Sequence, residues 1–203
     1  MIITDIEPQK NKNRVNIYLD DEFAFGLDRE ISYKYRLYIG QEIEKKFIEK
    51  ILKTDERNKV INSALGYLSY RQRSQQEVFQ KLRSKDYSHE DIEFAINYCI
   101  ERNYINDIEF ARSFIHDKSK LNKYGSVRIK YDLIKKGVDK SIIDQVLQAD
   151  FEEEYSTALE VAEKKLASYR SDDKNSQYRK LGGFLQRRGY PYDVVSKVLR
   201  ELL

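Results

Sequence analysis

The 203-residue sequence predicts a mainly α-helical fold, with tandem repeats of a three-helix, helix-turn-helix-like unit behind a small N-terminal β-hairpin region. Three observations predict it. Gly and Pro together number 10 of 203 residues, about 5% against roughly 12% in average proteins, and scarce chain breakers favour helices over an all-β or disordered chain. Apolar residues near the N-terminus alternate with period two, then follow the helical period from about Glu44 onward. Finally, the segments 81–96, 132–147 and 184–199 align at offsets of 51 and 52 residues.

The hairpin signal lies in residues 14–27, RVNIYLDDEFAFGL. Val15, Ile17 and Leu19 alternate before the acidic turn Asp20-Asp21-Glu22, and Phe23, Phe25 and Leu27 alternate after it. Ile2, Ile3 and Ile6 suggest a third strand. A bare hairpin is marginal in water, so this region is expected to cap the helical part; partner binding is the alternative. The expected organisation is residues 1–42 for the hairpin region, 43–107 for a helical lead-in and first repeat, 108–150 for the second repeat and 151–203 for the third.

Within the repeats, Leu82, Leu133 and Leu185 coincide, as do Tyr87, Val138 and Tyr190, then Ile92, Ile143 and Val195, then Ile96, Leu147 and Leu199. One turn before the leucines sit Val78, Ile129 and Leu181. Each unit therefore carries one apolar stripe before a turn and another after it. Ser74-Gln75-Gln76-Glu77 reads as a capping box. Gly137 and Gly189 fall where a helix ends and a left-handed residue is needed, and Asp86 takes that place in the first unit. Ser88 and Asp139 are good N-caps, and Pro191 stands in the same column. Ala64-Leu65-Leu68, Phe110-Ala111-Phe114 and Ala158-Ala162-Leu166 mark a first helix in each unit.

Net charge is only +3, which suggests no nucleic-acid partner. The average conceals a segregation. Windows 71–85, 117–137 and 174–188 hold 17 of the 37 cations and 3 of the 34 acids, a charge of +14, which leaves −11 for the rest of the chain. Equivalent helices in a stack would turn these cations into a basic stripe that attracts phosphates. The candidate binding residues are Arg71, Arg73, Lys81, Arg83 and Lys85, then Lys123, Arg128, Lys130, Lys135 and Lys136, then Arg179, Lys180, Arg187 and Arg188. Tyr70, Tyr124, Tyr131 and Tyr178 are interleaved and have rings on which unpaired bases can stack. A solvated basic face is the competing reading, and the helix dipole alone accounts for Lys135-Lys136 and Arg187-Arg188 at helix ends. The third helices are acidic and apolar, which disfavours sequence-specific reading of DNA.

Catalytic signatures are missing from the sequence. His89 and His116 have no ligand partner at metal spacing, and no phosphate loop, GxSxG or HExxH occurs, so neither metal nor cofactor is expected. Glu152-Glu153-Glu154 reads as a solvated helix start favoured by the dipole. Cys99 lies on an apolar stripe and reads as a buried structural thiol. One Cys forms no internal disulfide, no apolar run approaches the ~20 residues that span a bilayer, and the first residues lack a signal-peptide pattern. The expectation is a soluble, cytoplasmic, non-enzymatic monomer with no membrane contact.

Several of these stretches resemble the RecX regulatory proteins. ALGYLSYRQRSQQEVFQKL (64–82) resembles the opening signature of that family, and 104–138 its central one. The central elements are D-x-x-F-A, here Asp107, Phe110 and Ala111, and G-x-x-x-I-x-x-x-L-x-x-K-G, here Gly125, Ile129, Leu133, Lys136 and Gly137. Residues 181–199 resemble the closing repeat, and the hairpin region is similar to the N-terminal extension of some members. Asn106, where many members carry Asp, and Asp86 in a Gly column depart from the pattern.

The resemblance implies an elongated, curved array of three-helix repeats. It also implies a regulator without a catalytic site that binds RecA recombinase filaments on DNA. Such a regulator mostly inhibits recombinase, ATPase and co-protease activity in recombination and DNA repair. A general DNA-binding protein, holding single- or double-stranded DNA through phosphates without a recombinase partner, is the alternative, and a DNA-processing enzyme is a third.

Overall fold

The computed structural model describes all residues, 1–203, and divides into two compact units. One unit holds residues 1–70 and 81–102, the other residues 71–80 and 103–203.

In the first unit, strands β1 (Ile3–Pro8), β2 (Arg14–Leu19) and β3 (Glu22–Asp28) form an antiparallel sheet in the order β1-β2-β3. The third strand expected from Ile2, Ile3 and Ile6 is therefore present. Leu19 pairs with Glu22 across a two-residue turn, in which Asp20 and Asp21 have φ of 49° and 67°. Two left-handed residues match the twist of a tight hairpin, and Asp tolerates that region better than most residues. Helices α1 (Arg29–Lys34) and α2 (Lys45–Leu68) follow. Ile3, Val15, Ile17, Leu19, Phe25 and Leu27 from the sheet form one core with Ile31, Ile43 and Ile51. The acid Asp55 of α2 is buried at this seam, where it accepts from Asp28 N at 2.9 Å and pairs with Lys59 at 3.0 Å and Arg14 at 3.4 Å.

Phe23 does not share the face of Phe25 and Leu27, contrary to its alternation in sequence. A bulge lets Ile17 pair with Phe25 while Tyr18 pairs with Phe23, so one extra residue turns Phe23 to the other side. It is 59% exposed and packs edge-on against Tyr18, with ring centroids 6.0 Å apart.

The three-helix repeats are present. The first uses α2, α3 (Gln75–Arg83) and α4 (His89–Glu101). The second uses α5 (Asp107–His116), a π turn at Asp117–Leu121, α6 (Ser126–Lys135) and α7 (Lys140–Val146). The third uses α8 (Phe151–Leu166), α9 (Lys174–Arg188) and α10 (Tyr192–Leu202). The aligned columns are core columns: Val78, Ile129 and Leu181, then Leu82, Leu133 and Leu185, then Ile92, Ile143 and Val195 are all buried. Cys99 is buried beside Ala95 and Ile96, and burial pushes its thiol up.

The punctuation forms as the sequence predicts. Asp86, Gly137 and Gly189 have φ of 60°, 73° and 84°. Ser74 and Glu77 bond reciprocally, Glu77 N to Ser74 Oγ and Ser74 N to Glu77 Oε2, both at 3.2 Å. Ser88 and Asp139 cap their helices by accepting from Asp91 N and Ser141 N.

Within the second unit, the middle helices of the repeats meet end to end. The N-terminus of α6 abuts the C-terminus of α9: Gly125 N donates to Arg188 O at 2.9 Å and Val127 N to Gly189 O at 3.1 Å. Ser126 N donates to the Glu154 carboxylate of α8 at 2.6 Å. The same joint recurs one repeat earlier, where Ser74 Oγ donates to Lys136 O at 2.6 Å and Gln75 N to Asp107 of α5 at 2.8 Å. A short helix leaves its first N–H and last C=O groups without internal partners. Here the free donors of one repeat meet the free acceptors of the next. The approach is close enough that a Cβ on Gly125 would collide with Gly189 O, one on Gly189 with the Arg128 backbone, and one on Gly137 with Gln76.

This joint yields an expected outcome. Gly189→Ala adds a strained φ to a backbone collision and is expected to lower stability by about 2 kcal/mol or more. Asp86→Gly, at an exposed residue of the same column, removes only the φ penalty and should raise stability by up to about 1 kcal/mol. Urea midpoints of the two variants check this, and equal effects would contradict the joint.

Candidate filament and nucleic-acid interface

The joint helps divide the sequence-predicted cations into three groups. Four of them belong to the joints. Arg188 directs Nη1 to Asn122 O at 2.9 Å and Lys123 O at 3.1 Å, and its guanidinium lies 5.1 Å from the Phe184 ring centre. Lys123 pairs with Glu160 of α8 at 3.3 Å. Arg128 covers Tyr124 at 3.9 Å and donates to Arg187 O at 3.3 Å. Lys136 pairs with Glu77 at 2.8 Å and lies over Phe110 and Phe114. Arg71 also reaches Glu77, at 3.1 Å. Burial works against the charge of Glu77, yet the bonds from Lys136 and Arg71 hold its carboxyl below the ordinary value.

Others are held locally on the surface. Lys130 pairs with Asp144 at 2.5 Å and Lys180 with Asp172 at 2.7 Å. Arg73 is half-buried. A third set is exposed and makes no ion pair. In the first unit these are Lys81, which lies 5.8 Å from the Tyr67 ring, Arg83, and Lys85, which donates to Ser63 Oγ. In the second unit they are Lys135, Arg179 and Arg187. Lys135 lies over the Tyr131 ring at 4.5 Å.

Helix α6 adds an apolar element that the sequence reading missed. Val127, Tyr131 and Ile134 are all exposed, at positions i, i+4 and i+7 of one helix. This spacing puts them on one face. The helical period was legible, but the stripe could not be told from core by sequence alone. Of the candidate stacking tyrosines, Tyr70, Tyr131 and Tyr178 are exposed, while Tyr124 is half-buried beneath Arg128.

The acidic run 152–154 is not uniformly solvated. Glu152 pairs with Lys197 and Glu153 with Lys120, but Glu154 is half-buried against Ser126. Burial raises its carboxyl above the ordinary value, only partly offset by the bonds from Ser126. Asp107 is raised in the same way by burial, offset by Gln75 N–H. Both are carboxylates that cap the preceding repeat. A cavity of about 120 Å³ beside the α6–α9 joint is lined in part by Tyr124, Ser126, Ile129, Glu154 and Tyr190. Its titratable groups are engaged: Tyr190 donates to Lys123 O at 2.8 Å, and Asp150 caps α8. His89 and His116 are exposed, each beside its own local acid.

Four family models match in chain order. They are the regulatory protein RecX N-terminal domain at residues 1–44, and the first, second and third RecX three-helix domains at 61–99, 106–147 and 152–199. The regulatory protein RecX of Clostridium tetani is 38% identical, covering 99% of this chain and 94% of its own. That of Clostridioides difficile is 35% identical over 100% of this chain and 96% of its own. Among solved structures, a crystal structure of regulatory protein RecX aligns with a TM-score of 0.80 at 29% identity, over 97% of this chain and 98% of that one. The structure of RecX from Lactobacillus salivarius aligns at 0.68 and 32% identity, over 73% and 97%. No helix is long and apolar enough to cross a membrane.

Glu154 provides a test of the joint beneath this surface. Glu154→Ala strands the Ser126 N–H and is expected to cost about 1–3 kcal/mol. Glu154→Gln keeps an acceptor and should cost far less at pH 7. Because the native carboxyl is raised, its contribution is full below the ordinary glutamate value and lost as pH rises through the folded one. The Gln variant should therefore gain on the native chain between pH 4 and pH 7, as read from paired urea midpoints.

Proposed function

Because the chain belongs to the RecX family of regulatory proteins, we propose that it binds the RecA recombinase filament on DNA and restrains it without catalysis. It acts as a monomer in the cytoplasm, opposing filament growth, strand exchange and co-protease activity in recombination and DNA repair. The carrying observation is the set of exposed cations without acid partners, Lys135, Arg179 and Arg187, in the same unit as the exposed α6 stripe of Val127, Tyr131 and Ile134. Cations favour phosphate or an acidic protein face, and the apolar stripe favours a protein face. The first unit has its own exposed cations without acid partners, Lys81, Arg83 and Lys85. Arg71, Arg73, Lys123, Arg128, Lys130, Lys136, Lys180 and Arg188 contribute to the potential but are held by intramolecular contacts. Reversing Arg128 or Lys136 would disturb the joint as well as any partner.

The same cations support a second reading, phosphate-dominated DNA binding with no recombinase partner. Its affinity would fall about 10³-fold between 50 and 200 mM salt for about six phosphate contacts.

The test is RecA ATP turnover on single-stranded DNA. The expected result is suppression at near-stoichiometric protein. The triple variant Lys135→Glu, Arg179→Glu, Arg187→Glu should weaken suppression by about tenfold or more with only a small drop in urea midpoint, since Lys135 and Arg187 also complement helix C-termini. No effect of the native chain on turnover, strand exchange or filament length would sink the first reading. Salt-sensitive DNA binding persisting alongside that result would favour the second.

A further inference from the structure

The segment 31–41, ISYKYRLYIGQ, runs from within α1 toward α2 and carries two cations and no acid. Tyr33, Tyr38 and Ile39 are 71%, 63% and 59% exposed, more than most large apolar side chains of the protein. Lys34 and Arg36 are exposed and make no ion pair. Two exposed rings flanking two cations without ion pairs are therefore presented from one short stretch.

This stretch is built and held. Ile31 and Ser32 are buried, and Leu37 packs against the sheet core. Leu37 N bonds Ser32 O at 3.0 Å and Arg36 N bonds Tyr33 O at 3.0 Å, which closes α1 with a left-handed residue at Arg36, φ 51°. The far end is pinned to β1, with Gly40 N on Ile3 O at 2.7 Å and Ile3 N on Gln41 O at 2.9 Å. Glycine is the inexpensive residue at such a helix end. An arginine there accepts a backbone penalty and returns no intramolecular ion pair.

We propose that this segment is a single-stranded nucleic-acid contact, in which Tyr33 and Tyr38 stack on unpaired bases while Lys34 and Arg36 meet the adjacent phosphates. Flat aromatic faces suit every base, so the contact is indifferent to sequence, and the absence of acids over eleven residues suits a polyanion. An acidic protein surface is the competing occupant, and it would not distinguish an abasic strand from one that carries bases. The site lies outside the basic windows and does not depend on recombinase binding.

The experiment uses the full chain and a fluorescein-labelled thymidine 20-mer, with an abasic 20-mer as the control that keeps phosphates and removes bases. The double variant Tyr33→Ala, Tyr38→Ala is expected to lose about tenfold or more on the thymidine strand and little on the abasic one. Tyr33→Phe, Tyr38→Phe keeps the rings and should bind as the native chain does. Arg36→Gly should raise the urea midpoint while lowering affinity and reducing the salt slope by about 0.7, the value for one single-strand phosphate. Equal losses of the alanine variant on both strands, or no loss on either, would overturn the proposal. So would a defect confined to RecA-coated DNA, which would assign the segment to a protein partner. If the native chain leaves RecA turnover unchanged while the base-dependent loss appears, the recombinase reading fails and this one stands.

Discussion

In the second unit, the free N–H groups at the start of α6 point at the free C=O groups at the end of α9, and at the start of α3 the Ser74 hydroxyl takes that role toward Lys136 O. This is the constraint on which the repeats depend. Helices α3 and α6 have only nine and ten residues, so their unpartnered ends are a large share of their backbone polar groups. Docking end to end satisfies donors and acceptors together and sets the helix dipoles head to tail. It also explains the composition of the central signature. Gly125 and Gly137 allow the approach, Ile129 and Leu133 fill the core between them, Lys136 braces Glu77, and Asp107 caps α3.

The joint changes how the charge segregation reads. A cation near a helix C-terminus serves the dipole, the neighbouring repeat or a ligand, and sequence does not separate the three. Arg187 and Arg188 are consecutive, yet Arg188 reaches two carbonyls of the preceding repeat while Arg187 is exposed with no ion pair. Likewise Lys136 is held by Glu77 and two phenylalanines, while Lys135 rests on the exposed ring of Tyr131. The excess of positive charge is real in both cases, but only one member of each pair is exposed without an acid partner.

Local chemistry was legible and tertiary approach was not. The repeat columns, the capping box and the left-handed positions follow from side-chain identity at fixed spacing, and each appears in the structure. Phe23 was misplaced because one bulged residue reverses every later side chain in a period-two reading. Asp55 gave no signal, Asp107 stood out only as a motif position and Glu154 only within a run read as solvated, because an acid that accepts from a distant backbone N–H looks in sequence like any solvated acid. The segment 31–41 escaped notice because it lies where strand period gives way to helix period, and neither pattern assigns its side chains a face.

The ends that are not docked show the rule from the other side. The start of α6 has no cap from its own N-cap residue, since Gly125 makes room for the carbonyls of the following repeat, which share the capping with Glu154. The start of α9 has no such neighbour, and there Asp173 caps the helix with its own carboxylate, accepting from Ser176 N at 3.0 Å. At the other pole, Gly137 and Gly189 must be glycine both for φ and for the close approach, whereas the exposed Asp86 answers only the φ requirement. Asp is a tolerable left-handed residue when nothing presses on its Cβ. The departure at Asp86 from the glycine column therefore marks a helix end on which no further repeat docks, and the same physics that demands glycine at two columns releases it at the third.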